Sequence, residues 1–395
     1  MTPAILSLRE RLDVHPDYTG RGVNIAFIDS AFFPHPDLTR PTSRIRAFID
    51  LTRDAPAVED FLAIEAHVWH GTMTACCAAG NGYLSHGRYA GIASNAEVVL
   101  LRVQASDRLA IQGHTVAKAL RFIKNHPELE VHVVNVSVGV SWDDPDALDV
   151  EDAVAEVAAT GVVVVAAAGN IDGAPPSPPA SSAAAISVGG LDDQNTPASH
   201  DDARWPSSSG ARSNRVMKPD LLAPAARLPA PMLPGSLTAR EASPLFQVLR
   251  ILEDTESDIR FRKGRDLDPS RRDEASLAKF LDAVRERIRD QKYIAPAYQH
   301  VDGTSFSAPI VSSVVAQMLE ANPRLTSTEI RRGLVETCRR LPGVPAVQQG
   351  AGVLAPRAAV AWAEALAGRG DLRTASRRVS TPPTEARPSR RPKKA

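Results

Sequence analysis

Three short segments of this chain carry side chains that together could activate a serine. Asp29 follows an apolar run that ends at Ile28, His70 begins the sequence His-Gly-Thr, and Ser305 lies in Gly-Thr-Ser-Phe-Ser-Ala-Pro, residues 303–309. A serine hydroxyl is a weak nucleophile at neutral pH. It becomes reactive when an imidazole accepts its proton and a carboxylate holds that imidazole in the correct tautomer. The three residue types therefore predict a serine hydrolase.

Each of these side chains also has a structural interpretation. An aspartate after a buried strand can cap a turn, a histidine can be satisfied in the core, and serine is a preferred helix N-cap. Two observations favour catalysis. His70 is followed by Gly-Thr and lies 41 residues after Asp29, and Ser305 lies within a distinctive seven-residue segment.

The order of the three residues along the chain points to a family. Asp, then His, then Ser is the subtilisin order, whereas chymotrypsin-like chains and α/β-hydrolases have other orders. The chain resembles the subtilisin-like serine proteases over roughly residues 15–225 and 299–362. The resemblance implies an endopeptidase that cleaves peptide bonds through an acyl-enzyme, with Asp29, His70 and Ser305 as its triad.

Three further segments resemble the same family. Residues 162–170 are similar to the strand before the oxyanion-hole asparagine, residues 134–139 to the strand edge that holds substrate, and residues 218–224 to a later segment. One position departs from the family pattern, because Ala31 stands where a glycine is usual. If that position needs a positive φ, the alanine would be strained.

The resemblance assigns two further groups to the site. Asn170 matches the oxyanion-hole position, and Ser137, Val138 and Gly139 match the residues whose backbone holds an extended peptide. Backbone pairing of this kind binds the main chain of a substrate and leaves pockets to select its side chains. The backbone N–H of Ser305, at a helix N-terminus, would be the second oxyanion donor.

The elements around these residues read as alternating strands and helices. Four short β-branched runs are largely apolar rather than alternating, as strands buried on both faces should be, and helical stretches separate them. The predicted strands are 23–28, 98–103, 131–136 and 161–168, and the predicted helices are 70–79, 115–125, 148–160 and 305–322. This pattern predicts an α/β fold with a doubly wound, mostly parallel sheet flanked by helices, in which active-site groups gather at the carboxyl ends of the strands.

Residues 229–298 form a predicted charged helical insertion. In this segment 25 of 70 residues are charged, which exceeds the 23% of the whole chain and excludes a buried strand layer. One apolar stripe at helical spacing must pack on another element. The stripe comprises Leu277, Phe280, Leu281, Val284 and Ile288, and its predicted partners are Leu245, Phe246, Leu249 and Leu252. Because the insertion directly precedes Ser305, it could be a lid or a docking surface for a regulatory partner; a decorative subdomain is an equal alternative.

The insertion divides a peptidase domain, predicted at residues 1–228 and 299–368, and a basic tail follows at 369–395. The tail has nine Lys or Arg residues and two acidic residues. It contains too few apolar residues to offset the entropy of ordering, which predicts disorder. A basic tail can bind nucleic acid, but no base-reading module accompanies it, and a solvated terminus is favoured.

Composition sets the remaining expectations. No apolar stretch approaches the ~20 residues that span a bilayer, and residues 1–12 lack a signal-peptide pattern. The three cysteines, Cys76, Cys77 and Cys338, do not suggest a disulfide framework. We therefore expect a cytoplasmic protein with a protein or peptide substrate and no membrane partner. Only 28 residues precede Asp29, which leaves no room for a propeptide and predicts some other restraint on activity.

No cofactor or catalytic metal is expected. No His/Cys cluster has zinc spacing. Residues 35–38 resemble a segment in which many family members place a calcium-binding aspartate, here Asp37, and Asn81 lies in what could be the companion loop. That loop fits poorly, so a turn role is favoured for Asp37 and calcium is a minor alternative.

Two other functions compete with proteolysis. A catalytically silent subtilisin-like module could bind extended peptides on the same scaffold, although all four catalytic residue types are present. A nucleotide-binding α/β protein is disfavoured, because no Gly-rich phosphate loop follows a strand.

Overall fold

The computed structural model describes residues 4–53, 62–64, 67–108, 110–212, 217–263 and 271–379. Its centre is an eight-stranded sheet. The strands of this sheet are β1 Asn24–Asp29, β2 Ile45–Asp50, β3 Glu97–Arg102, β4 Val133–Val136, β5 Val163–Ala167, β6 Ile186–Asp192, β7 Ala203–Arg204 and β10 Leu221–Pro224. Their order is β10-β6-β5-β4-β1-β3-β2, with β7 paired antiparallel to β6 and every other neighbour pair on that path parallel.

Two small antiparallel sheets accompany it. One pairs β8 (Ala211–Arg212) with β9 (Met217–Lys218). The other contains β11 (Leu228–Pro231), β12 (Tyr293–Ala295) and β13 (Tyr298–Val301), with β13 in the middle. The described helices are α1 Leu8–Arg11, α2 Pro36–Thr39, α3 Val68–Ala79, α4 Gly113–Asn125, α5 Ala147–Ala158, α6 Leu237–Lys263, α7 Arg271–Asp290, α8 Thr304–Ala321, α9 Ser327–Thr337, α10 Ala346–Gln349 and α11 Pro356–Val379.

Both faces of the large sheet are buried, as the apolar strands predict. In β1, Ile25 and Phe27 belong to a core shared with α3 and α8, whereas Ala26 and Ile28 belong to a second core shared with α4 and α5. Successive side chains of a strand point to opposite faces, so one apolar run serves both layers. The predicted doubly wound, mostly parallel α/β fold is confirmed.

Strand β1 occupies the middle of this sheet and ends at the site. It pairs in parallel with β3 on one side and with β4 on the other. The chain leaves β1 toward β2 on one side and leaves the adjacent β4 toward β5 on the other, which opens a crevice beyond the carboxyl ends of these two strands. Asp29, the last residue of β1, lies at this crevice.

The segment 229–298 contains the two helices α6 and α7, which pack on each other through apolar side chains. Val284 and Ile288 of the predicted stripe join a small core with Met232, Ala242 and Tyr293, and the predicted partners Leu245, Phe246, Leu249 and Leu252 pack around it. Leu281 is also buried, but Phe280 is 56% exposed. Phe280 therefore lies outside the buried part of the stripe, and the sequence prediction was wrong for this residue.

The connection from α7 to the candidate nucleophile is short. Strand β13 pairs with both β11 and β12, so the three strands hold the two ends of the insertion together. The chain then passes from Val301 through Gly303 directly into α8. The insertion is thus joined to the site by a single small sheet.

The last helix, α11, continues to Val379. The first part of the predicted tail at 369–395 is therefore helical, because the helix that begins at Pro356 does not end at the predicted boundary. The remainder of the tail lies outside the described residues. Among the described helices, none combines the length and apolarity that a bilayer crossing requires.

Candidate active site

Asp29 and His70 form a hydrogen-bonded pair beyond the carboxyl end of β1. His70 is the third residue of α3, and its Nδ1 lies 2.7 Å from Oδ1 of Asp29. The carboxylate is fully buried and is held by three further donors: the Ser30 N–H at 2.7 Å, the Ser30 hydroxyl at 3.1 Å and the Thr74 hydroxyl at 3.1 Å. These donors fix the orientation of Asp29, which in turn fixes the imidazole.

Close packing of α3 on the strand end makes this pair possible. A Cβ added to Gly71 would lie 2.3 Å from the carbonyl oxygen of Ala31 and 3.0 Å from the Cβ of Asp29. Only glycine lets the helix approach so closely. Ala31 itself is buried and does not have a positive φ, so the alanine that replaces the usual glycine is accommodated without backbone strain.

The environment of His70 favours its protonated form. Burial lowers the pKa of the imidazole, but the charge of Asp29 and the hydrogen bond to it raise the pKa by more, so the pKa lies above its ordinary value. A carboxylate that stabilises an imidazolium is the partner that a general base needs, because the base carries the proton in the middle of the reaction.

Ser305 is the second residue of α8, and its position depends on Gly303. That glycine is the N-cap residue and has φ 132°, a conformation that other residues rarely adopt. The Ser305 hydroxyl donates a 3.1 Å hydrogen bond to the carbonyl oxygen of Ser137. Phe306 brings the start of α8 beside His70, because the two ring centroids lie 5.7 Å apart.

A buried chain of hydrogen bonds supports the backbone of Ser305. The Ser137 hydroxyl donates to the carbonyl oxygen of Ser305 at 2.8 Å, the Asn135 amide donates to the Ser137 hydroxyl at 2.8 Å, and the Ser312 hydroxyl donates to Asn135 at 3.0 Å. Sequence analysis missed Asn135 and Ser312. The signal was available, since Asn135 interrupts an otherwise apolar strand and Ser312 is one of several polar residues in a helix that is almost entirely buried.

Asn170 is hydrogen-bonded to Thr304, the residue before Ser305. Its Oδ1 accepts from the backbone N–H of Thr304 at 3.0 Å and from the Thr304 hydroxyl at 2.8 Å. The Thr304 Oγ1 in turn accepts from the N–H of Gly169 at 3.1 Å. Because Oδ1 faces two donors, the orientation of the amide is determined, and its NH₂ group is left to donate elsewhere.

Residues 137–139 continue past the end of β4, which stops at Val136. Ser137 and Val138 are buried and Gly139 is exposed. Ser137 contacts Ser305 directly through the two hydrogen bonds already described. The structure thus gathers Asp29, His70, Ser305, Asn170 and residues 137–139 around one crevice.

Comparison with known proteins identifies the family of this chain. The sequence profile of the Subtilase family, peptidase S8, matches residues 20–353. The chain belongs to the subtilase family. It is similar to the serine protease AprX of Bacillus subtilis (strain 168), with 27% identity over 322 residues. That match covers 79% of this chain and 60% of the relative, so the chain spans less than two thirds of the curated relative's length.

Two solved structures share the subtilase fold of this chain. The prenylagaramide maturation protease PagA is 17% identical, with a TM-score of 0.56 over 86% of this chain and 93% of its own. A serine-to-alanine mutant of the protease domain of PatA is 19% identical, with a TM-score of 0.59 over 89% of this chain and 98% of its own. At such identities the likeness concerns the fold alone.

Many subtilases bind calcium, but the surroundings of Asp37 do not fit that ion. The Asp37 carboxylate is buried and accepts from the Tyr298 hydroxyl at 2.7 Å and from the Leu84 N–H at 3.3 Å. Its other neighbours with ligand atoms are the His35 imidazole and the Cys76 thiol. Calcium prefers six to eight oxygen ligands, and this mixed set, with two carboxylate oxygens already hydrogen-bonded, does not provide them. Asn81 instead hydrogen-bonds to Arg40 and Tyr83.

Proposed function

We propose that this subtilase is a serine endopeptidase in which Asp29, His70 and Ser305 act as a catalytic triad through an acyl-enzyme. The observation that carries the proposal is the 2.7 Å hydrogen bond that the buried Asp29 accepts from His70, which lies beside the start of the Ser305 helix. Because this chain is similar to the serine protease AprX, we take peptide bonds as its substrate class.

The reaction begins when the Ser305 hydroxyl rotates from Ser137 toward His70. As Oγ attacks the scissile carbonyl carbon, Nε2 of His70 accepts its proton, and Asp29 stabilises the imidazolium. The tetrahedral intermediate collapses, the C–N bond breaks, and His70 returns the proton to the leaving amine. Water then attacks the acyl-enzyme, with His70 again as base, and releases the carboxylic acid product and free Ser305.

Negative charge develops on the carbonyl oxygen in both steps. We propose that the Asn170 amide and the backbone N–H of Ser305 stabilise it. The amide is suited to this because its oxygen is committed to Thr304, so its NH₂ is held in place before substrate arrives. Fixed donors of this kind cost no reorganisation at the moment of reaction.

The substrate in this proposal is an extended polypeptide bound along residues 137–139. Gly139 is exposed and its backbone is accessible to a ligand, whereas Val138 is buried and holds the strand in place. Main-chain pairing at such an edge accepts many sequences, and side-chain pockets then select among them.

We also propose a cytoplasmic enzyme with a regulatory partner at residues 229–298. Cys76 and Cys77 are buried free thiols, which suits a reducing compartment. The insertion is joined to Ser305 by a single small sheet, and a partner bound there could act on the site. Fractionation of the native host tests the first part. Deletion of residues 235–292 tests the second, and unchanged activity on folded and peptide substrates would remove the regulatory role.

Covalent labelling tests the central proposal directly. A fluorophosphonate probe should label the wild-type chain, and the Ser305→Ala variant should not react. Hydrolysis of casein, followed by mass spectrometry of the products, then distinguishes internal cleavage from trimming of the ends. A well-folded wild-type chain that does not label would instead support a silent peptide-binding module.

A further inference from the structure

Two neighbouring cavities lie beside the insertion, and one of them reaches the chain neighbours of His70 and Ser305. The first, here called the active-site cavity, has a volume of about 310 Å³ and is lined by Trp69, Phe306, Val301, Lys292 and His300, among others. The second, here called the insertion cavity, measures about 400 Å³ and is also lined by Lys292 and His300. The two shared residues place the cavities next to each other.

The active-site cavity lies on the side of the site where the leaving group departs. Trp69 and Phe306 are the chain neighbours of His70 and Ser305, and the Trp69 ring stands edge-on to the His70 ring at 5.3 Å. His70 donates its proton to the leaving amine, so the segment after the scissile bond lies on this side. In the described part of the chain, the substrate edge at 137–139 and Asn170 do not contribute to the cavity wall.

The insertion cavity combines an apolar floor with a basic rim. Phe246, Leu249 and Ile288 come from α6 and α7, and Tyr89 comes from the body of the protein. The charged residues around them are mainly cationic. Arg88, Arg285, Arg289 and Lys292 line the cavity, against the single carboxylate of Glu253.

The acidic partners of these cations lie mostly outside the cavity wall. Glu253 pairs with Arg285 at 2.9 Å, and Lys292 pairs with Asp302 at 2.6 Å. Arg289 is more than half exposed and approaches the carboxylates of Glu286 and Asp290 at 3.6 Å and 3.8 Å. Arg88 is exposed, lies over the Tyr89 ring at 5.2 Å and interacts electrostatically with Glu10. Of these acidic groups only Glu253 lines the cavity, so the charged groups that a bound ligand would meet are mainly cationic.

We propose that the two cavities together bind the leaving-group segment of an acidic polypeptide substrate. An apolar side chain next to the scissile bond fills the active-site cavity, and carboxylates farther along the segment lie against Arg88 and Arg289. The inference rests on the proposed endopeptidase function and names its substrate class. It also gives the insertion a role in substrate selection, because most of the insertion cavity is built from α6, α7 and β12.

Three matched peptides test this substrate class. They share an acyl-side sequence taken from a cleavage site mapped in casein, and their leaving-group segments differ only in Glu, Gln or Lys at the outer positions. We expect kcat/KM for the Glu peptide to exceed that for the Gln peptide by roughly threefold to tenfold, as two partly exposed ion pairs allow. The Lys peptide should be cleaved most slowly, and added salt should reduce the differences.

Charge-reversal variants locate the effect. The double variant Arg88→Glu, Arg289→Glu should reduce the Glu-to-Gln ratio to one or below, whereas Arg250→Glu, an exposed arginine of α6 outside both cavities, should keep the wild-type ratio. The ratio is internal to each variant, so a general loss of activity cancels. A wild-type ratio of one, or an unchanged ratio in the double variant, would overturn the inference. Failure of wild-type labelling by the fluorophosphonate probe would instead reject the endopeptidase proposal itself.

Discussion

Ser137 and Ser305 are joined by reciprocal hydrogen bonds, in which each hydroxyl donates to the carbonyl oxygen of the other residue. The Ser137 bond is 2.8 Å long and the Ser305 bond is 3.1 Å. The first holds the backbone of Ser305, the proposed nucleophile, and the second occupies its hydroxyl. The same pair thus fixes both the backbone and the side chain of Ser305.

Loss of the hydrogen bond from the Ser137 hydroxyl should lower kcat more than loss of a comparable hydrogen bond elsewhere. Ser137→Ala frees the Ser305 carbonyl and leaves the buried Asn135 amide without its partner, which costs about 1–3 kcal/mol of unfolding free energy. Ser307→Ala is a matched control, because its hydroxyl donates to Pro224 from the same helix at 2.9 Å. We expect similar melting temperatures for the two variants, but a lower kcat for Ser137→Ala alone. Equal losses of kcat would show that Ser137 does not position the nucleophile.

The pH dependence of activity should report the Asp29–His70 pair. Catalysis requires neutral His70, so kcat/KM should rise with pH as the imidazole loses its proton, with an inflection above the ~6.5 of an unperturbed histidine. Asp29→Asn removes the charge that raises the His70 pKa. The inflection should therefore move to lower pH, and kcat should fall by a factor on the order of 10⁴. Asp146→Asn, beside the exposed His114, should change neither quantity.

The same pair makes stability depend on pH in a defined direction. A histidine whose pKa is raised in the folded state stabilises the fold fully below its unfolded pKa, and this contribution is lost as pH rises through the folded value. The difference in unfolding free energy between wild type and Asp29→Asn should thus shrink from pH 5 to pH 9, as measured by urea denaturation. A difference that grows with pH would contradict the raised pKa.

The sequence predicted the strands and helices that carry the triad because their patterns are local. Residues 25–28 of β1 and all of β5 are uninterrupted apolar runs, and the residues that end such runs in a parallel sheet meet at one edge. The prediction that Phe280 is buried was wrong because it also used a local pattern. Helical spacing defines a face, but the partner element decides how wide the buried part of that face is.

Features that depend on packing between distant segments could not be predicted. The support of Ser137 by Asn135 and Ser312 joins a strand to a helix 177 residues away. The two cavities likewise exist because α7 and β12 lie beside Trp69 and Tyr89, which no spacing in the chain reveals. The polar residues themselves were visible as interruptions in apolar segments, and only their partners were missing.

Two substitutions of Asn170 should separate its proposed role as an oxyanion donor from its role in binding Thr304. Asn170→Ala removes both the NH₂ donor and the oxygen that binds Thr304, whereas Asn170→Asp keeps an oxygen for Thr304 and removes the donor. We expect kcat to fall by roughly 10²–10³ in the alanine variant, and by at least as much in the aspartate variant, because a negative charge would face the oxyanion. Melting temperature should fall in Asn170→Ala only. An aspartate variant that keeps wild-type kcat would exclude Asn170 from the oxyanion hole.

Because α3 lies so close to the end of β1, substitution of Gly71 should lower both stability and activity. In Gly71→Ala the new methyl group would meet the Ala31 carbonyl oxygen at 2.3 Å, so the helix must move away from the strand end. Overpacking of this kind costs about 1–3 kcal/mol, and the shift should also separate His70 from Asp29. Gly368→Ala is the control, because its Cβ meets open space on an exposed helix and should stabilise the protein by about 0.5–1 kcal/mol. Thermal unfolding measures both effects, and kcat at several pH values reports the state of His70. A Gly71→Ala variant with wild-type stability and activity would show that α3 does not need this contact.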